Sequence, residues 1–141
     1  MEYFVCDDTV VVRIKRGEEV LSELEKLCEK LKITAATIEG IGAADKITVG
    51  LYSVEKKEYF KKTFEGDFEI TSLLGNITTK DKKPYLHLHI NFADSELKTF
   101  GGHLNECKIC ATAEIFIKSL PCKLKRFHDE ETGLNLFLPK A

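Results

Sequence analysis

At 141 residues, with 43% hydrophobic and 31% charged side chains, the chain is long enough to bury a core of its own and too apolar to be disordered. Its 21 basic and 23 acidic residues leave a net charge of −2, which provides no bulk attraction to nucleic acid, and only Arg13, Arg16 and Arg126 carry the forked guanidinium suited to base and phosphate readout. No apolar run approaches a membrane span, and Met1–Asp8 lacks the basic and long apolar regions of a signal peptide, so a cytoplasmic protein is expected.

Residues 2–15 carry the β-branched run Thr9–Val12 and read as a strand pair broken near Asp7-Asp8 and ended by Gly17. From Glu18 to about Lys32 the spacing predicts an amphipathic helix. Val20/Leu21, Leu24, Leu27/Cys28 and Leu31 recur at helical period, with glutamates in the first turn and lysines in the last, as the helix dipole favours. Thereafter strands are predicted at 36–39, 46–54, 58–64, 68–77, 85–92, 108–117, 123–127 and 134–138. Gly40, Gly42, Gly66-Asp67, Lys80–Pro84, Gly101-Gly102 and Glu131–Gly133 serve as punctuation. One helix followed by many short strands implies an α+β fold with a mixed, mostly antiparallel sheet, and residues 1–141 form a single domain without linker or repeat.

The segment Tyr85-Leu86-His87-Leu88-His89-Ile90-Asn91-Phe92 carries the chemistry. Strand period two puts the leucines, Ile90 and Phe92 on a core face and projects His87 and His89 together from the other, roughly 7 Å apart at Cα. His103, after Gly101-Gly102, can return to the same place across the loop 93–100. Three imidazoles with an unfilled fourth position describe an open, catalytic type of zinc site, although imidazole also suits nickel, iron and copper. The alternative is that the histidines simply occupy a wet strand face.

Other candidates are weaker. Cys107-x-x-Cys110 falls within a predicted strand, where positions three apart face opposite ways, and the five irregularly spaced cysteines read as reduced thiols. Either of that pair could close the metal site if the chain folded back. Gly40-Ile41-Gly42 lacks the third glycine and the helix of a dinucleotide fingerprint. His128 reads as a solvated loop residue. The groups Lys61-Lys62, Lys80/Lys82/Lys83 and Lys123/Lys125/Arg126 read as soluble surface.

Arg16–Leu21, Gly40-Ile41-Gly42-Ala43, Glu65–Asn76, His87-Leu88-His89, Gly101-Gly102-His103-Leu104, Ala113-Glu114-Ile115 and Thr132-Gly133-Leu134 run in an order that resembles the PPC domain, the plants-and-prokaryotes conserved domain. Where that family often has Gly-Arg-Phe-Glu-Ile, this chain has Gly66-Asp67-Phe68-Glu69-Ile70, without the arginine. The resemblance implies a homotrimer and a divalent metal, zinc expected, on His87, His89 and His103. It also implies a fold similar to that of acetolactate decarboxylase, a zinc enzyme. Glu69 and Glu114 are the carboxylates singled out as a general base or a hydrogen-bonding partner of the ligands. Three readings follow: a metal-binding protein with a small-molecule ligand at the ion, a metal-dependent lyase or hydrolase acting on a small carbonyl or carboxylate compound, and a DNA-associated regulatory module. The last is weakened because the Arg-Gly-Arg core of the AT-hook, which accompanies the domain in plant proteins, does not occur here.

Overall fold

The computed structural model describes residues 1–137. Its elements in chain order are β1 (Glu2–Cys6), β2 (Thr9–Lys15), α1 (Val20–Leu31), β3 (Ala36–Ser53), β4 (Glu58–Lys80), β5 (Lys83–Ala93), β6 (Thr99–Ser119), β7 (Arg126–Asp129) and β8 (Leu134–Phe137). The main sheet runs β1-β2-β6-β3-β4-β5, with β7-β8 as a separate ribbon. Every ladder between these strands is antiparallel, and a single parallel bridge joins Thr79 to Lys125. The fold is α+β and mostly antiparallel, as the sequence indicates.

The sheet closes on itself. The first five residues of β6 pair with β5 from His89↔His103 to Ala93↔Thr99, while the rest of β6 pairs with β3 and β2. Strands β3, β4, β5 and β6 therefore form a small closed ring with no free edge along that stretch. Val12, Ile14, Ile47, Leu73, Ile77, Leu88, Ile90, Phe92, Ile109, Ile115 and Ile117 meet α1 in one core. The helix contributes Val20, Leu24, Leu27 and Cys28, the stripe that its period predicts. It starts two residues later than expected because Glu19 is the cap, its carboxylate accepting from the backbone N–H of Leu21 (3.0 Å) and of Ser22 (2.8 Å). No helix among the described residues is long and apolar enough to cross a membrane.

Gly133 lies in the turn between β7 and β8, as read, but the other glycines taken as punctuation do not end strands. Residues 36–39 and 46–54, expected as two strands, belong to one, with register shifts between Gly40 and Gly42 and between Ala44 and Lys46. Gly66-Asp67 likewise lies inside β4, with Gly66 at φ 140°, and Gly101-Gly102 inside β6, so His103 arrives on a strand rather than from a loop. Strands of 18 to 23 residues must bend to close a ring, and bulges and glycines supply the bend. The strand expected at 123–127 lies later in the chain, at Arg126–Asp129. His128 sits on that strand with its side chain exposed, and Leu138 lies outside the described residues.

Candidate metal centre

Strand phase builds the first half of the site. On β5, Leu88 and Ile90 are buried, so His87 and His89 emerge on the opposite face. Ring closure builds the second half, because His103 of β6 is the direct partner of His89. The three ring centroids form a nearly equilateral triangle of 5.2, 5.1 and 5.5 Å, and one donor nitrogen from each lies within 4.8 Å of the others. A tetrahedral ion with bonds of about 2.0–2.1 Å needs donors about 3.4 Å apart, so modest ring rotations fit these atoms to one ion. The donor chemistry fits as well. Burial, and then the nearby Arg126 charge and the other imidazoles, push the His87 pKa down to about 4. Burial, then His89, Lys61 and Arg126, lower that of His103. Both rings are therefore neutral at pH 7 and can donate to a cation without first losing a proton.

The triad lies in a cavity of about 560 Å³ whose walls include Tyr52, Tyr59, Tyr85, Arg126 and Asn135. Tyr59 stands edge-on to His103 at 6.1 Å, and Asn105 Nδ2 donates to its hydroxyl oxygen at 2.9 Å. Since that contact uses the oxygen as acceptor, the Tyr59 hydroxyl proton remains available to a ligand. Its neighbour Gly50 has no side chain, and a Cβ there would run into the Tyr59 ring.

Arg126, expected as soluble surface, is buried instead. It is 7% exposed and spans the gap between β7-β8 and the main sheet. Its Nε donates to Thr78 Oγ1 (2.9 Å), Nη1 to the Asn135 carbonyl (2.7 Å) and Nη2 to Asn76 Oδ1 (2.8 Å), and Nη2 lies 3.3 Å from His87 Nδ1. The Tyr85 and Phe137 rings lie 4.6 and 5.3 Å from the guanidinium carbon. A signal was present. Period two sets Arg126 in phase with Leu124 and out of phase with Lys123 and Lys125, which are exposed.

The expected carboxylates are elsewhere in this chain. Glu114 follows His103 by eleven residues along β6, pairs with Arg13 and is exposed beside Phe116. Glu69, on β4, pairs with Ala43 and Ala93 and is also exposed. Neither lines the cavity, because alternation and bulges aim each at a different stretch of surface. Cys107 and Cys110 do not line it either. Cys107 is sealed in the core, its thiol pushed up to about 12 chiefly by burial, which removes it as a fourth ligand.

Known proteins share this architecture. The structure matches that of a Bacteroides thetaiotaomicron protein named for a supposed role in DNA binding, with TM-score 0.94, 29% identity and coverage of 96% of this chain and 95% of that one. It matches a metal-containing protein from Archaeoglobus fulgidus with TM-score 0.87, 36% identity and coverage of 97% and 96%. Acetolactate decarboxylase from Bacillus subtilis shares the fold at TM-score 0.55 and 18% identity, over 86% of this chain and 57% of that one. Among curated sequences, the bifunctional protein GlmU of a Synechococcus strain is 29% identical over 134 residues, 92% of this chain. The chain spans only about a fifth of that relative's length. Residues 1–121 match the Plants and Prokaryotes Conserved (PCC) domain, and the chain belongs to that family.

Proposed function

We propose that this protein binds one divalent ion, zinc by preference, through His87, His89 and His103, and presents the ion's open position to a small molecule in the adjoining cavity. The convergence of three imidazoles from β5 and β6, with the pKa values of His87 and His103 both lowered, carries the reading. The metal-containing Archaeoglobus relative supports it. Calorimetric titration of zinc into stripped protein at pH 7 is expected to give one site per chain. Repeated in buffers of different ionisation enthalpy, it is expected to show no proton release attributable to His87 or His103, since neither is protonated there. Fewer than about half an ion per chain at saturation would remove the site.

A zinc-class ion on three imidazoles supplies a Lewis acid that lowers the pKa of bound water toward neutrality or polarises a ligand oxygen. Tyr59, with its proton free, is placed to donate to an oxygen in the cavity, and Arg126 holds fixed positive charge beside the ligands. These two residues favour a metal-dependent lyase or hydrolase of small carbonyl or carboxylate compounds as the more specific reading. Unpaired thiols at all five cysteines support a reducing compartment such as the cytoplasm.

Exposed Ile41, Leu74 and Phe116 gather on one face, and Phe4 and Val5 are uncovered on β1. Such apolar area supports self-association, and the number three is what the family resemblance implies. Light scattering across a size-exclusion peak is expected to give three times the chain mass, and a stable monomer at micromolar concentration would reject the trimer. A DNA-associated role rests on the name of the Bacteroides relative. With net charge −2 and Arg126 buried, few phosphates can be neutralised by arginine, so binding is expected to be weak and insensitive to sequence. Fluorescence anisotropy at physiological salt checks this, and nanomolar, sequence-selective binding would promote the DNA reading over the metal one.

A further inference from the structure

A guanidinium keeps its proton in any protein environment, so the 93% buried Arg126 carries a permanent charge. Buried charges are normally paired with an opposite charge. Among the described residues Arg126 has no such partner, since Thr78, Asn76 and the Asn135 carbonyl are all neutral. Among the described residues no aspartate or glutamate lines the cavity, and Lys61 adds further positive potential at His103. A divalent ion on three neutral imidazoles would bring the charge of ion and Arg126 together to three positive, with no carboxylate side chain among the described residues lining the cavity to balance it.

The contact between Arg126 Nη2 and His87 Nδ1 sharpens the point. If His87 binds the ion through Nε2, its neutral ring carries the proton on Nδ1, and two donors face each other at 3.3 Å. If it binds through Nδ1, the guanidinium lies against the atom that holds the cation. Either arrangement is relieved by an acceptor oxygen bearing negative charge.

From this charge imbalance we infer that the cavity's occupant is a small organic carboxylate, one oxygen at the metal's open position and its charge shared with Arg126, with the carbon portion against Tyr52, Tyr59 and Tyr85. Nη1 has one hydrogen left after its bond to Asn135, enough for one such contact. The apolar portion follows from the walls, since three tyrosines with Leu51, Leu134 and Leu136 in about 560 Å³ leave a bare phosphate most of the cavity unfilled.

The inference rests on the metal reading, and the test separates the two. Calorimetry on zinc-loaded and stripped protein compares lactate with lactamide, benzoate with benzamide, and inorganic phosphate. At least one carboxylate is expected to bind zinc-loaded protein ten times more tightly than its neutral amide and ten times more tightly than it binds stripped protein. In Arg126→Gln protein held at saturating zinc, that carboxylate is expected to bind at least tenfold more weakly than in unaltered zinc-loaded protein. If the variant does not fold, the acid–amide pairs on unaltered protein decide. Failure of zinc to bind unaltered protein removes the metal reading and the inference with it. Zinc binding without any acid–amide preference, or phosphate bound more tightly than every carboxylate, overturns the inference alone.

Discussion

Replacing His89 with alanine is expected to reduce zinc content from about one ion per chain to background. Altering outer partners of a metal ligand costs about 10–100-fold in affinity, and removing a ligand itself should exceed that, leaving two imidazoles and water to hold the ion. Of the three histidines, His89 gives the cleanest test. It is exposed, whereas His87 and His103 are half-buried and His87 touches Arg126. Its loss should leave the core packing of Leu88 and Ile90 unchanged. Elemental analysis and thermal melts of the same preparation distinguish the outcomes. Undiminished zinc in a folded His89→Ala protein would dismiss the triad as the binding site.

The second large effect concerns Gly75. It pairs with Leu88 on β5, between the two strand histidines. A methyl group at this position would intrude on the His87 carbonyl oxygen and lie 2.8 Å from Leu88 Cδ2 and 2.9 Å from Leu88 Cα. Two of those atoms are backbone, so β4 and β5 must part where the site is built. Gly75→Ala is therefore expected to cost about 3 kcal/mol or more, lowering the melting temperature by roughly 10 °C. Gly17→Ala makes a fair control. Gly17 has φ 85° with nothing near its missing Cβ, so only the backbone penalty of about 1 kcal/mol applies. Equal melting temperatures for the two variants would mean that β4 and β5 are not so closely spaced.

The two histidines on β5 were legible because a strand's alternation is local, with Leu88 and Ile90 fixing the phase between and beside them. The helix was legible for the same reason, and only its cap was hidden, since glutamate is an unusual residue to hold the first turn. What failed was reading glycine as a stop. Gly40, Gly42 and Gly101-Gly102 stand inside long strands because neighbouring backbones come close there, and closeness is a tertiary fact. The misjudged charges share that origin. Glu69 and Glu114 are near the histidines in neither strand register nor cavity, and Arg126 reaches them only because the β7-β8 ribbon returns to β4 through Thr78 and Thr79. Composition alone made Arg126 one more basic residue in a lysine-rich stretch.

The seam between β5 and β6 has a consequence for how the chain would feel an ion. His89 and His103 are direct partners yet only fourteen positions apart along the backbone. Cross-linking so short a span removes little freedom from the unfolded chain: for a covalent link closing a loop of about 15 residues the gain is about 3 kcal/mol, against about 4.7 for one of about 100 residues. A clasp placed there tightens one hairpin and leaves the remainder of the sheet to its own packing. Removal of an ion so placed is therefore expected to leave the surrounding strands assembled.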